Sequence, residues 1–311
     1  NHDNQLDIDC IIVDESSMID LKLMYHLLQA LPEQCQLILL GDKNQLSPIE
    51  AGSVFNELCQ SELTTIQTAT QALEKNYRFS TSDDIAKLSK AILAGKSTEC
   101  FEILENKNQK TVALTNLPEV NCLKLAILNN IIPELAHLFK NQNIEKSLSS
   151  LKKFQVLCAM KKGKYGVNNI NKLIEDTVIT YFFKGKTNDN IYDGKPILIL
   201  ENDYVNQLFN GDIGIYKKDK TTDNFKVYFN TEKGIKSFSP ARIPKHQLAY
   251  AMTIHKSQGS EFTRELTILP NTFFEMINNQ LIYTALTRAS QSLEIWSSTT
   301  TLEKAILNTS N

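Results

Sequence analysis

Short uncharged apolar runs, each followed by a stretch of helical periodicity, limit the folds open to this chain. "CIIV" (10–13) leads into "DESS", and "DLKLMYHLLQALP" (20–32) then spaces Leu21, Met24, Leu28 and Leu31 as one inward helical face. "QLILL" (36–40) follows and is broken by "GDKNQL" (41–46). Strands without charge on either side need cover on both, which a parallel sheet flanked by helices provides. An α/β fold is therefore predicted. In such sheets ligands sit beyond the C-terminal ends of the strands, where "DESS" and "GDKNQL" fall.

A second series begins at "TVALTN" (111–116) and runs through the helical pattern "LPEVNCLKLAILNNIIPELAHLFK" to the strand "FQVLCAM" (154–160). Further strands are predicted at "LAYAMTI", "ELTIL" and "SLEIWS", with Trp296 in the core. From about Lys186 to Lys245 the texture changes. Turn signals at Asn188–Asn190, Asp193–Gly194, Asn210–Gly211 and Thr222–Asn224 punctuate alternating strands such as "FKVYF". This reads as a small antiparallel β-barrel inserted into the second α/β unit, with Tyr204, Phe209 and Asn210 near its turns, where the aromatics form its own small core or grip a strand or a partner. A length of 311 residues has room for two domains. They are predicted at 1–108 and 109–311, with the insertion at 186–245.

Composition removes several classes of function. The net charge of −2 rules out a basic body, so any nucleic-acid site must be a local groove. Six cysteines stand singly with no CxxC pair, which argues against zinc and for buried thiols in a reducing cytoplasm. The longest apolar runs are strand-sized, so no membrane span is expected. The opening "NHDNQLDIDC" has neither a basic, apolar leader nor an initiator Met, and it enters a strand almost at once. A fragment of a longer protein is expected.

One stretch imitates a nucleotide site. "AILAGKST" (91–98) ends in the Gly-Lys-Ser of a phosphate loop, but Lys90 stands where the loop's first glycine belongs. Ile85, Leu88, Ile92 and Leu93 form one helical face ahead of it, so Gly95 reads as a helix C-cap.

The chemistry lies elsewhere. Adjacent carboxylates after a buried strand, Asp14–Glu15, suit a magnesium nucleotide site: one holds the metal shell and the next orients an attacking water. Taken alone, the pair also reads as a cap for the following helix. In "GDKNQL", Gly41 permits a tight turn and Gln45 offers an amide to a γ-phosphate. "NYRF" and "YTALTRAS" present Arg78 and Arg288, whose guanidinium forks suit a transferring phosphoryl group or a surface ion pair. "TIHKSQGSEF" (253–262) packs His, Lys, Ser, Gln and Gly together after a strand. "KKGKYG" joins Lys161, Lys162 and Lys164 to Tyr165, as a grip on single-stranded nucleic acid or as a solvated basic loop.

The ordered set "VDESS", "GDKNQL", "NYRF", "TIHKSQGSEF" and "YTALTRA" resembles motifs II to VI of superfamily-1 helicases, and among them the RecD group of exonuclease V alpha subunits. The likeness extends through "SPIEAGSVF", "LCAMKKGKYGVNNIN" and "FNGDIGI", and so covers nearly the whole chain. It implies RecA-like (P-loop NTPase) parallel sheets: the second half of one motor domain, then a nearly complete second. It implies that Asp14 holds Mg²⁺, Glu15 activates water, and Gln45 senses the γ-phosphate of ATP. Arg78 and Arg288 would clamp that phosphate, while Gly259 and Glu261 meet the nucleotide. Thr253, His255, Lys256, Ser257 and Gln258 would link the cleft to single-stranded DNA. The implied activity is ATP-dependent unwinding of double-stranded DNA in recombinational repair, 5′ to 3′, beside RecB and RecC subunits in the cytoplasm. In this family the phosphate loop lies upstream of "VDESS", so the chain alone is expected to hydrolyse ATP negligibly. The rival expectation is a non-catalytic RecA-like scaffold that regulates a partner.

Overall fold

The first strands pair as their lack of charge demands. A computed structural model of the chain describes residues 5–48, 52–73, 83–106, 111–140, 143–187, 191–219 and 221–309. Strands β1 (Cys10–Val13) and β2 (Gln36–Leu39) are parallel, with Cys10 opposite Gln36 and Val13 opposite Leu39. The crossover helix α1 (Leu21–Ala30) is capped by Asp20, whose carboxylate accepts the Leu23 N–H at 2.7 Å. Its predicted inward face is realised only at Met24. Leu21 and Leu28 are 57% and 52% exposed, and Ile12 of β1 is exposed as well. A helix buries its apolar stripe only where something covers it, and two short strands supply too little area. Helices α2 (Val54–Gln60) and α3 (Thr64–Ala69) complete this unit. Phe55 of α2 lies so close to Gly41 that a Cβ there would stand 3.0 Å from its ring.

The chain continues through α4 (Asp83–Leu93), α5 (Ser97–Glu105) and β3 (Val112–Thr115). Helix α6 (Leu123–Ala126) passes through a π turn at Ile127–Ile131 into α7 (Ile132–Lys140). Then come α8 (Ile144–Ser150), β4 (Phe154–Cys158) and the long α9 (Val167–Phe183). Five strands follow: β5 (Pro196–Ile199), β6 (Ile213–Lys218), β7 (Phe225–Thr231), β8 (Gly234–Phe238) and β9 (His246–Leu248). The last elements are β10 (Ala251–Thr253), β11 (Phe262–Ile268), α10 (Asn279–Leu286), β12 (Ala289–Trp296) and α11 (Thr299–Leu307).

The main sheet has the order β10-β4-β11-β12-β3 and is parallel throughout. One face carries Leu157, Leu293 and Ile295 under α4, α5, α10 and α11. The other carries Val156, Leu266, Ile268 and Trp296 under α6, α7 and α9. Trp296 is core, as predicted, and its indole N–H donates to Glu294 at 2.8 Å. Helices α4 and α5, which the sequence assigns to the first unit, bury Ile85, Leu88, Ile92 and Cys100 on this second sheet. The imitated phosphate loop is the turn between them. Gly95 adopts φ +65°, its N–H reaches Ile92 O at 3.0 Å, and Lys96 N–H reaches Ala91 O at 3.0 Å. That pattern closes a helix.

The insertion is an antiparallel sheet in the order β8-β7-β6-β5-β9, with its own cluster of Ile197, Ile199, Leu208, Tyr216, Val227 and Phe229. Tyr204 and Phe209 are not in that cluster. Tyr204 is 76% exposed, and the two rings meet edge to face at 6.2 Å on the surface. The loop closes on itself instead: Asp203 accepts the Asn206 N–H at 3.0 Å and bridges to Leu208, the residue that turns inward. The sheet is moored to its host. Buried Lys217 donates to Leu138 O of α7 and pairs with Asp193 at 2.8 Å. The Tyr192 hydroxyl lies 2.8 Å from that of Tyr250, just ahead of β10, and donates to Glu175 of α9.

The cysteines divide. Cys100 and Cys158 are buried, and burial pushes both thiols up. Cys10 and Cys122 are exposed, against expectation, Cys10 because β1 is uncovered. No helix among the described residues is long and apolar enough to cross a membrane. A different buried group sets a pH dependence. Burial pushes the carboxyl of Glu265, in the middle of β11, up to about 8, although the Thr267 hydroxyl and the Arg288 charge pull it the other way. The folded protein thus keeps a proton that the unfolded chain releases at about pH 4.3. Stability from this group is full below that pH and falls as pH rises through 8, by up to about 1.4 kcal/mol per pH unit. Glu265→Gln, which cannot ionise, removes this slope; urea midpoints for both proteins across the interval check it.

Candidate active site

At the end of β1 the backbone turns sharply. Ser16 N–H donates to Leu40 O at 2.8 Å and the Ser16 hydroxyl to Val13 O at 2.8 Å. Glu15 is held at φ +51°, a left-handed conformation that costs a non-glycine residue energy and is found where a side chain must be aimed. Its N–H donates to Asp14 Oδ1 at 2.8 Å. Asp14 is exposed and Glu15 half-buried at the strand's C-terminal end. Glu15 is also the residue before a 3-10 turn (Ser16–Met18), but its side chain makes no cap bond, so the capping reading of the pair fails there.

The second strand ends in a loop that the other unit holds. Asp42 organises it: Oδ1 accepts the Asn44 N–H at 2.9 Å, and Oδ2 lies 3.5 Å from Gln45 Nε2. Gln45 is buried, and its Oε1 has no hydrogen-bond partner among the described residues, leaving an acceptor pointed at nothing. Bonds cross from this loop to the second unit. The Tyr283 hydroxyl donates to Asp42 Oδ2 at 2.7 Å, Thr284 Oγ1 accepts the Leu46 N–H at 2.9 Å, and Gln258 Nε2 donates to Leu46 O at 3.1 Å. Gly259 faces the same space at φ +74°; a Cβ there would stand 4.0 Å from Glu15 Oε1. Glu261 is exposed nearby in sequence.

Arg288 is neither a surface ion-pair partner nor exposed to the cleft. It is 1% exposed. Its Nε donates to Thr284 O, Nη1 to Ser260 O and Nη2 to Thr287 Oγ1, each at 3.2 Å. The guanidinium charge reaches Glu265 on β11 and partly offsets the effect of burial on that carboxyl. Arg78 lies outside the described residues.

The basic loop after β4 divides as well. Lys161, Lys162 and Lys164 are exposed, whereas Tyr165 is buried and its hydroxyl donates to Pro118 O at 2.8 Å. Tyr165 is therefore core and offers no ring to a base. Gly166 makes the turn possible, since a Cβ there would come 2.4 Å from Lys162 O. Lys256 sits close enough for Lys161 to add to the effect of burial in lowering its ammonium. A lysine held beside a second cation marks a place where an anion is favoured. Around Lys256, Thr253 caps the 3-10 turn Ile254–Ser257 and the Ser257 hydroxyl donates to Ile254 O at 2.7 Å. Burial lowers His255. Thr253, Ser257 and Gln258 thus have structural partners. Asp42, Tyr283 and Thr284 are the site residues that the sequence reading quoted inside motifs without giving them work. Among the described residues no cluster of three or more His, Cys, Asp or Glu could hold a metal ion by itself.

The chain is similar to known proteins over nearly its whole length. Residues 2–113 match the AAA domain family and residues 248–295 the UvrD-like helicase C-terminal domain. RecBCD enzyme subunit RecD of Buchnera aphidicola subsp. Acyrthosiphon pisum (strain APS) is 32% identical over 346 aligned positions, covering 99% of this chain and 56% of the relative. The subunit of the same name from Haemophilus influenzae is 32% identical, covering 99% and 54%. The chain thus spans about half the length of the curated relatives it matches. The crystal structure of Pif1 helicase from Bacteroides in complex with ADP-AlF3 and single-stranded DNA superposes with a TM-score of 0.50 at 19% identity, covering 94% of this chain and 71% of that one, a likeness of fold. RecD sequences at up to 32% identity thus match the chain nearly end to end, and its parallel sheets share the fold of the Pif1 helicase: the chain resembles the RecD helicase subunits.

Proposed function

We propose that the chain forms one wall of an ATP-driven DNA translocase, with ATP held between the β1–β2 unit and the parallel sheet. The observation that carries this reading is the meeting of Glu15, the unpartnered Gln45 acceptor, Gly259 and the helix leading to Arg288 at one cleft. Glu15 would take the proton from the attacking water, and Gln45 would turn its amide toward the γ-phosphate. Arg288 and Arg78 would neutralise charge on the transferred group, Arg288 by leaving Ser260 O. The exposed Asp14 fits a magnesium site, because Mg²⁺ takes one or two carboxylates and completes its shell with phosphates and water. When bound, Mg²⁺ would neutralise charge between the phosphates.

Single-stranded DNA would lie along the lysine edge, with phosphates at Lys161, Lys162, Lys164 and Lys256. Charge supports this more than stacking does, since Tyr165 is committed to the core. The RecD relatives are named as RecBCD subunits. On that basis RecB and RecC are the proposed partners, with 5′ to 3′ movement during recombinational repair.

Two measurements test the reading. In the full-length protein, DNA-stimulated ATP turnover falls about 10²–10⁴-fold in Glu15→Gln, and at least as far in Arg288→Ala. The 311-residue chain alone turns over ATP negligibly; full turnover in Glu15→Gln, or brisk hydrolysis by the chain alone, would sink the assignment. For DNA, Lys161→Ala and Lys256→Ala each weaken oligothymidine binding and reduce the slope of log K against log salt by about 0.7. Fluorescence anisotropy titrations at several salt concentrations report both quantities, and an unchanged slope moves the DNA path off this edge.

A further inference from the structure

Tyr283 and Thr284 are consecutive on α10 and hold the same loop of the other unit at its two ends. The Tyr283 hydroxyl donates to Asp42 Oδ2 at 2.7 Å, and Thr284 Oγ1 accepts the Leu46 N–H at 2.9 Å. Between those anchors lies Gln45. The carboxylate that Tyr283 engages is also the one 3.5 Å from Gln45 Nε2. On its other side Thr284 holds the arginine, since its carbonyl accepts Arg288 Nε at 3.2 Å. Helix α10 has no freedom to roll under this load: Leu281, Ile282, Ala285 and Leu286 are all buried in the core of the second unit.

From this arrangement we infer that Tyr283 is a positioning residue that ties the phosphate-facing loop of the first unit to the arginine of the second. The inference rests on the translocase reading above. Gln45 and Tyr283 share one acceptor oxygen, so they compete for it. When Gln45 swings toward a phosphate it vacates Asp42 Oδ2, and the Tyr283 bond to that oxygen strengthens, because a carboxylate oxygen with one donor fewer attracts the remaining one more. The closed cleft is thereby fastened in the state that carries a γ-phosphate. When the phosphate leaves, Gln45 returns to Asp42, the Tyr283 bond weakens, and the units are free to part. Thr284 holds the loop through its hydroxyl and Arg288 through its carbonyl, so the rigid helix keeps the seated loop and the arginine in one register.

The test uses the full-length protein and two readouts. Spin labels at Gln67→Cys and Glu303→Cys, with Cys10, Cys35, Cys59 and Cys122 replaced by serine, report the distance between the units. Tyr283→Phe keeps the ring and removes only the hydroxyl. It is expected to broaden the distance distribution, most with a non-hydrolysable ATP analogue bound. It should also lower kcat with oligothymidine about tenfold, while the ATP KM stays within about twofold. Asp42→Ala, which also removes the acceptor of the Asn44 N–H and of Gln45, is at least as severe, and adding Tyr283→Phe to it makes it no worse, because the hydroxyl has already lost its carboxylate. A Tyr283→Phe protein with wild-type distances and wild-type DNA stimulation overturns the inference. Additive losses in the double variant overturn it as well. If the wild-type protein shows no DNA-stimulated turnover, the translocase reading falls. In that event broadened distances support the tie as a joint and overturn its part in turnover, and unchanged distances overturn both.

Discussion

Parallel pairing sends the strands of a sheet to the same edge, and the two parallel sheets of this molecule depend on that constraint. Strands β1, β2, β4 and β10 all end at carboxyl termini that run into loops: Asp14–Glu15, Gly41–Leu46, Lys161–Gly166 and the turn after Thr253. A backbone emerging from a covered sheet must find polar partners at once, so these loops are rich in groups that can meet a ligand. The apolar strands supply no chemistry themselves. Their contribution is geometric: the main sheet fixes the lysine loop and the Thr253–Gly259 turn relative to each other. The bonds through Leu46 fix that edge relative to the first unit.

Buried charge is used sparingly and where movement must be controlled. Arg288, Glu265 and Lys217 are all nearly inaccessible, and none is left bare. Arg288 has backbone carbonyls at two of its nitrogens, and Lys217 has a carboxylate and a carbonyl. Glu265 differs: one oxygen is met by Thr267 and the other has no hydrogen-bond partner among the described residues. A carboxyl in that setting keeps its proton, which is how β11 tolerates an acid in its middle.

Much of this was legible in the letters because the rules involved are local. Alternation of uncharged runs with helical spacing located β1, β2, β4 and β10 to β12, and Gly95 was recognisable as a cap from Lys90 and the face ahead of it. The failures share one cause, which is that exposure is not a local property. Leu21 and Leu28 have the spacing of a core face, yet whether anything lies over that face depends on what the rest of the chain brings there. Tyr165 stands among three lysines and looks like a stacking ring, but its hydroxyl finds Pro118, distant in sequence, and the ring goes inward. Tyr204 and Phe209 fail in the opposite sense, because Leu208 between them takes the inward place. Arg288 was read as a phosphate clamp or a surface ion-pair partner. Its burial could not be foreseen, since its acceptors include Ser260 O, in a different loop.

The mooring of the inserted sheet has a mechanical meaning. Its base is pinned by Lys217 to α7, by Lys195 and Tyr192 to Glu175 of α9, and by the Tyr192–Tyr250 contact to the residue that leads into β10. These attachments reach α7, α9 and the residue before β10, and together they resist hinging of the sheet about any one of them. The sheet therefore works as a stiff arm with little slack, its tip at Tyr204 and Val205 and its root beside the strand that ends at Thr253. A push on that tip is felt at the root as torque.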